Sequence, residues 1–457
     1  MKSTRVFLGN APWRKPGYYG VRAGSRWPHF EAEDMEYMPF PFFLAYAAAV
    51  IERDGFPTLL VDAIAENISD DQFMEKMLDF NPELVLLEIC TPSIDADMKM
   101  LRRVRNEAPN VKIALAGLHH EMYQASFLME NLDADFVLIG EYELSLLDVV
   151  NALESGGGLA GINGVIARED GQVSDGGRRP LATDLSRFPW PARHFLPMSN
   201  YHDEPGSIPR PSVQMWASRG CPFDCTFCAW PQIMYDSRKY RARPIVDVVD
   251  EMEWLVKECG FASVYFDDGT FNVGKERMMD FAREVKSRSL DVPFAIMARA
   301  DLMDREILEA LKGAGLYALK YGVESAEQKL LDQCAKGLDI EKVKRTVQTT
   351  HDLGIKMHLT FMFGMPGETM ETARKTIDLA LEMKAESVQF TVATPFPGSK
   401  YWQEMVDAGK LTSRDYTRYD GFRSAVVKTD SLSSKQLEEI LIEANRRWHE
   451  FRFSTAT

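Results

Sequence analysis

The chain has 457 residues, 45% of them apolar and 26% charged, with a formal net charge of −15. That length predicts two to three domains with sizeable cores, in a composition ordinary for a globular protein. An acidic chain without a long basic run is poorly suited to neutralising phosphates, so nucleic acid is excluded as the expected partner.

In the first 155 residues short β-branched runs alternate with amphipathic segments, the pattern of a parallel sheet covered on both faces. The predicted strands are Arg5–Leu8, Thr58–Val61, Leu84–Glu88, Lys112–Ala116 and Phe136–Ile139. Helices are predicted near Leu44–Arg53, Asp71–Asp79, Asp95–Asn106 and Leu144–Leu153. The apolar stretch Phe42 to Ile51 is about half of what spans a bilayer, so it reads as a buried helix with Pro41 at its start and no membrane span is expected. A long loop from Ala11 to Tyr37 carries Trp13, Arg14, Lys15, Tyr18, Tyr19, Arg22, Arg26, Trp27 and His29, and loops of that length are usually functional or disordered, with the aromatic content arguing against disorder. It is expected to cover a ligand or line a substrate pocket, or else to pack as a surface lobe.

A doubly wound sheet binds its ligand beyond the carboxyl ends of its strands, so the residues that follow each strand carry the argument. After the third strand comes Cys90-Thr91-Pro92-Ser93-Ile94, after the fourth Gly117-Leu118-His119-His120, and after the fifth Gly140-Glu141-Tyr142-Glu143. Singly, these residues read as helix caps and tight turns. In this order they resemble the cobalamin-binding domain that precedes many radical S-adenosylmethionine enzymes. The resemblance implies that Thr91, Ser93, Gly117, His119, Gly140 and Glu141 contact cobalamin. The DxHxxG motif, whose histidine ligates cobalt in other cobalamin domains, is absent: the first strand runs into Gly9-Asn10-Ala11-Pro12-Trp13. A histidine ligand from that position is therefore not expected, and His119 and His120 follow a different strand.

Residues 156–212 read as a linker with a hairpin, Gly164–Ala167 turning at Glu169-Asp170-Gly171, then a proline-rich stretch. A second alternation follows, with strands predicted at Val213–Ser218, Ser263–Phe266, Pro293–Ala298, Ala318–Val323, Lys356–Phe363 and Ser387–Thr391. Six strand–helix units make a partial β/α barrel over residues 213–400, with active groups expected at the carboxyl ends of the strands. Residues 401–457 form a mostly helical extension ending in a helix over Ser434–Phe451. The fold class is thus α/β: a Rossmann-like domain over 1–155, then the barrel and the extension.

The loop after the first barrel strand holds Cys221-Pro-Phe-Asp-Cys225-Thr-Phe227-Cys228, three thiols within eight residues. Close-spaced cysteines of this kind hold iron–sulfur clusters. A structural zinc usually takes two separate knuckles, and no second close-spaced Cys or Cys/His pair exists here. Cys90, Cys259 and Cys334 are scattered singly, and with no secretory leader a disulfide framework is not expected, which points to the reducing cytoplasm. CxxxCxxC with Phe227 before the last cysteine resembles the signature of the radical S-adenosylmethionine superfamily. The resemblance implies a 4Fe-4S cluster whose fourth iron chelates S-adenosylmethionine, with an external electron donor such as flavodoxin or ferredoxin. Asp267 or Asp268 is then expected near the ammonium of that cofactor, Arg299 near its carboxylate, and Glu324 and Ser325 near its ribose. The alternative for Asp268 is a helix cap, and for Arg299–Asp301 a simple ion pair. Gly364-Met-Pro-Gly-Glu368-Thr369 resembles the family's turn near adenine, and it lacks the Lys-Ser/Thr ending of a phosphate loop.

Both halves together resemble cobalamin-dependent radical S-adenosylmethionine enzymes. The resemblance implies methylation of an unactivated carbon, or less often phosphorus, of a small-molecule or lipid-like substrate. The alternative is a radical cyclase, ring-contracting or rearranging enzyme in which cobalamin is a redox partner or unused. A non-catalytic cobalamin or redox sensor is disfavoured by the full set of cofactor contacts.

Overall fold

The computed structural model describes residues 2–14, 19–21, 30–32 and 37–455. The chain divides into two compact units, Met1–His202 with Ala229–Ser237, and Asp203–Cys228 with Arg238–Thr457.

The first unit is built on a seven-stranded sheet. Its strands are β1 (Val6–Asn10), β4 (Thr58–Asp62), β5 (Leu84–Ile89), β6 (Lys112–Gly117), β7 (Phe136–Leu138), β8 (Val165–Glu169) and β9 (Gln172–Asp175). The short antiparallel pair β2 (Tyr19–Val21) and β3 (Phe30–Ala32) stands apart from it. The order is β4-β1-β5-β6-β7-β8-β9, parallel as far as β7. The five parallel strands therefore follow the order 2-1-3-4-5 of a doubly wound fold, with its switch point between β1 and β5. Strands β1 and β5 are buried along their whole length, as their unbroken apolar runs predict.

Helix α1 (Phe42–Arg53) is buried from Phe42 to Ile51, which accounts for its apolar composition. It packs on α5 (Glu143–Glu154). Helix α2 (Asp70–Phe80) starts at a capping box in which Ser69 and Gln72 satisfy each other's backbone N–H groups. Its Phe73 meets Phe7 of β1 edge-on, with ring centroids 5.4 Å apart. Helices α3 (Ile94–Glu107) and α4 (Ala125–Glu130) complete the unit. The hairpin read from sequence as part of a linker pairs antiparallel with β7. Val165, Ile166 and Ala167 are buried there, so the hairpin covers a strand edge that would otherwise be open.

The second unit holds six parallel strands in sequential order: β10 (Ser212–Met215), β13 (Ser263–Phe266), β14 (Phe294–Ala298), β15 (Leu316–Glu324), β16 (Lys356–Phe363) and β17 (Ser387–Val392). The two-residue strands β11 (Ser218–Arg219) and β12 (Arg241–Ala242) pair beside the end of β10. Helices α6 (Ile245–Lys257), α7 (Lys275–Ser287), α8 (Arg305–Lys312), α9 (Gln328–Gln333), α10 (Ile340–Asp352) and α11 (Met370–Glu382) connect the large strands. This is a curled half-barrel, and among the described residues β10 and β17 do not pair with each other. On its outer side Phe266, Phe271, Phe281 and Phe294 pack as an aromatic cluster between sheet and α7. On its inner side Tyr265, Ala295 and Ala318 close around Ile208. After α12 (Lys400–Asp407), α13 (Ser434–Thr455) packs on β17 and α11. No described helix is long and apolar enough to cross a membrane.

Candidate functional site

The three close-spaced cysteines lie on the loop that leaves the carboxyl end of β10. Asp268, fully buried at the end of β13, accepts from the Ala217 N–H at 3.2 Å and from the Ser218 hydroxyl. Burial pushes its carboxyl up to about 6 in spite of these bonds. The Thr226 N–H donates to the Cys334 carbonyl at 2.9 Å, and the Thr226 carbonyl accepts from the Tyr401 N–H at 3.0 Å. The loop is thus held by its backbone from three sides while Cys221, Cys225 and Cys228 stay partly exposed. Thr270 Oγ1 lies 3.3 Å from Cys221 Sγ.

These residues fit an iron–sulfur cluster by their donor set. Among the described residues no three His, Cys, Asp or Glu side chains converge on one point as around a single ion. A cube takes each cysteine on a different iron, which asks only that three thiols share a loop. Burial raises the Cys225 thiol, and the nearby Lys336 ammonium and Arg299 guanidinium oppose that rise. Cationic neighbours of this kind favour thiolate.

Lys336 is the residue that sequence reasoning missed. Its ammonium makes a buried 2.6 Å ion pair with Glu324 and lies 5.9 Å from the Phe227 ring centre. Glu324 takes a left-handed backbone (φ 69°) where β15 bulges against β16, which turns its side chain toward the lysine. Nothing in Cys334-Ala-Lys336-Gly marks the lysine, because only the fold brings it to Glu324.

Several of the residues expected near the cofactor also make hydrogen bonds within the protein. Arg299 is committed to the protein: it grips Asp301 at 2.9 and 3.0 Å, donates to the Lys336 carbonyl at 2.9 Å and stacks 3.5 Å over Phe223. It thereby positions the cysteine loop and Lys336. Asp268 is spent on the β10 end. The Ser325 hydroxyl accepts from the Glu327 N–H at 3.1 Å and lies 3.3 Å from Thr376 Oγ1, so it ties the β15 end to α11 instead of facing outward. Asp267 is buried and accepts from the Tyr265 hydroxyl at 3.2 Å. Glu324, with Lys336, remains beside the cysteine loop. Glu368 stitches the Gly364–Gly367 turn, accepting from the Gly364 N–H. Its Oε1 is buried without a partner, and burial pushes its carboxyl up to about 8.

In the first unit the expected residues follow the carboxyl ends of β5, β6 and β7. Thr91 Oγ1 and His119 Nδ1 are 3.2 Å apart. Burial, with His120 nearby, lowers His119 to about 4, so its ring is neutral at pH 7. The Ser93 hydroxyl donates to Asp97 at 2.6 Å, a bond inside the protein that leaves its lone pairs for other donors. Gly117 (φ 117°) has no room for a side chain, since a Cβ would stand 2.3 Å from the Ile89 carbonyl oxygen. Gly140 (φ 70°) is equally restricted, by the Met234 carbonyl oxygen 2.6 Å away. Glu141 is buried next to it. Residues 229–237, which follow Cys228 directly, belong to this unit, and Arg178 holds them through the carbonyls of Ile233 and Met234 at 3.0 and 3.1 Å. At the switch point the Asn10 side-chain oxygen at the end of β1 is buried without a hydrogen-bond partner. Such an orphan costs about 1–3 kcal/mol, and an amide of a bound ligand would satisfy it. A ligand rich in amide groups, as cobalamin is, fits this end of the sheet. Of the Ala11–Tyr37 loop, Lys15, Tyr18, Arg22, Arg26, Trp27 and His29 lie outside the described residues; Trp13 is buried.

Residues 34–150 match the B12 binding domain family and residues 217–380 the radical SAM superfamily. An uncharacterized methyltransferase of Pyrococcus horikoshii is 28% identical over 88% of this chain and 86% of its own length. An anaerobic magnesium-protoporphyrin IX monomethyl ester cyclase of Rubrivivax gelatinosus is 28% identical over 95% of this chain and 76% of its own. Among solved structures, the radical S-adenosylmethionine methyltransferase TsrM of Kitasatospora setae, with cobalamin and a [4Fe-4S] cluster bound, superposes with a TM-score of 0.68. It is 19% identical over 89% of this chain and 75% of its own, a likeness that carries the fold.

Proposed function

The chain carries a B12-binding domain ahead of a radical SAM domain, with a 4Fe-4S cluster, S-adenosylmethionine and cobalamin as its cofactors, and we propose that it methylates an unactivated carbon of a small-molecule or lipid-like substrate. The observation that carries this reading is the pairing of both domains in one chain, with Cys221, Cys225 and Cys228 at the strand end where a barrel places its chemistry. When bound, the cluster and S-adenosylmethionine supply a hydrogen-abstracting radical, and cobalamin supplies a transferable methyl group.

This chain's own residues do the holding. The three cysteines bind the cluster, and Arg299 and Asp268 fix their loop. Lys336 is the residue we assign to the carboxylate of S-adenosylmethionine, with Glu324 paired to it and available to a hydroxyl or ammonium. Glu368 keeps the turn after β16 closed where the adenine is expected. Asn10, Thr91, Ser93, Gly117, His119, Gly140 and Glu141 surround the proposed cobalamin site.

The test uses anaerobically purified holoprotein, reductant, S-adenosylmethionine with a deuterated methyl group and a fractionated small-molecule extract. A product gaining one labelled methyl, with S-adenosylhomocysteine and 5′-deoxyadenosine in equal amounts, is expected. Deoxyadenosine with no label transfer would sink the methyltransferase reading. It would favour the second reading, a radical cyclase, which is motivated by the similarity to the Rubrivivax cyclase over nearly the whole chain.

A further inference from the structure

Two buried cations stand against the cysteine loop, each over one of its aromatic residues. The Arg299 guanidinium carbon lies 3.5 Å from the centre of the Phe223 ring, and the Lys336 ammonium 5.9 Å from that of Phe227. Phe223 falls between Cys221 and Cys225, and Phe227 between Cys225 and Cys228. Arg299 is 5% exposed and Lys336 8%. Backbone bonds fix both places. Arg299 donates to the Lys336 and Gly337 carbonyls at 2.9 and 3.3 Å, and the Thr226 N–H donates to the Cys334 carbonyl at 2.9 Å. The neighbouring strand β15 leaves room for the lysine and its partner: a Cβ on Gly322 would stand 2.9 Å from Lys336 Nζ and 2.5 Å from Glu324 Oε1.

Each cation has a carboxylate, Lys336 with Glu324 at 2.6 Å and Arg299 with Asp301 at 2.9 Å. The charges do not cancel at the cysteines. At the Cys225 sulfur the Lys336 ammonium acts more strongly than the Glu324 carboxylate, and Arg299 adds to it. The loop's own carboxylate, Asp224, is paired with Lys400 at 2.7 Å. The potential of an iron–sulfur cluster depends on the charge and polarity around its sulfurs. Reduction adds a negative charge, and in a buried site a nearby cation stabilises that charge far more than water-screened groups do.

We propose that Lys336, set off by Glu324 and backed by Arg299, raises the reduction potential of the cluster on Cys221, Cys225 and Cys228 and so favours its one-electron-reduced form. The cluster takes that electron from an external one-electron reductant. No bond forms or breaks in the step, and Lys336 keeps its proton. The proposal rests on the reading of the chain as a radical enzyme and adds a control on its first electron transfer.

The test is a potentiometric titration of the anaerobic holoprotein at pH 7 with dithionite, followed by the electron paramagnetic resonance signal of the reduced cluster. S-adenosylmethionine is left out, so its binding plays no part, and iron and sulfide are assayed in every sample. Lys336→Met should make the cluster about tenfold harder to reduce, a shift of about 59 mV to lower potential for one electron. Glu324→Gln keeps an acceptor for the ammonium but removes the negative charge, and should shift the potential upward by a smaller amount. The double change Lys336→Met/Glu324→Met should lie between the two single variants and below wild type. If Lys336→Met alone does not fold, Glu324→Gln and the double variant decide. A pair that only holds the loop would move the potential in one direction whichever partner is changed. Shifts of the same sign in the two single variants, a double variant at or above wild type, or unmoved potentials would overturn the inference. So would loss of iron and sulfide from both Glu324→Gln and the double variant, which would make the pair structural. A wild type that assembles no cluster sinks the inference together with the radical reading. Deoxyadenosine formation by a wild type whose variants keep its potential sinks the inference alone.

Discussion

Replacing Glu368 by glutamine should remove a loss of stability that the wild type suffers at alkaline pH. Glu368 is fully buried, and burial lifts its carboxyl from 4.5 to about 8 against the pull of the Gly364 and Met365 N–H groups. The folded state thus holds this proton where the unfolded chain has released it. Stability is full below 4.5, falls as pH rises, and levels off above about 8, a total of about 5 kcal/mol. About 3 kcal/mol of that lies between pH 6 and 9. With a urea dependence of about 3 kcal/mol per molar, the wild-type midpoint should drop by about 1 M more than that of Glu368→Gln over the same range. Comparing the two proteins cancels the other titrating groups. At pH 6 the glutamine variant should lie within about 1 kcal/mol of wild type, because its carbonyl accepts the same two N–H groups. Glu368→Ala, which strands both, should lose about 3–5 kcal/mol. An identical alkaline drop in Glu368→Gln, or equal damage from glutamine and alanine at pH 6, would refute the assignment of a neutral, turn-closing carboxyl.

Alanine at Cys221, Cys225 or Cys228 should each abolish bound iron and sulfide, whereas Cys259→Ala, at an exposed single cysteine, should leave both unchanged in a metal assay. Lys336→Met breaks a buried ion pair and should cost about 3–5 kcal/mol in thermal or urea unfolding. The double change Lys336→Met/Glu324→Met should recover most of that stability while S-adenosylmethionine affinity stays at least tenfold weakened, because the lost charge is not replaced. His119, lowered from 6.5 to about 4, is neutral when folded, and the unfolded chain takes up its proton first as pH falls. Stability should therefore fall by about 2 kcal/mol from pH 7 to pH 5, and His119→Asn should flatten that acid limb in paired urea titrations.

The strands of both units were legible because buried parallel strands read as apolar runs between turn residues, which also fixes which residues lie at their carboxyl ends. The hairpin at Val165–Asp175 was legible as a hairpin but not as a sheet extension, since a pairing partner leaves no mark in local sequence. The cysteine loop announces itself by spacing alone. Charged residues were the hardest to place. Arg299 and Asp268 follow strands just as a cofactor ligand would, yet their hydrogen bonds turn inward to hold the loop. Lys336 carries no motif and depends on the left-handed turn at Glu324. Strands β16 and β17 are less uniformly apolar: every second residue of Lys356-Met-His358-Leu-Thr360 and Ser387-Val-Gln389-Phe-Thr391 is polar.

The central claim is that one chain couples its cobalamin to methyl transfer, and a single turnover without substrate tests it most directly. Holoprotein from cobalamin-fed cells, purified without oxygen, would be assayed for corrin, iron and sulfide, then reduced and mixed with S-adenosylmethionine. The account predicts near-stoichiometric corrin and about one S-adenosylhomocysteine formed per corrin. An intact cluster that yields 5′-deoxyadenosine with no corrin bound, or with no S-adenosylhomocysteine, would contradict it.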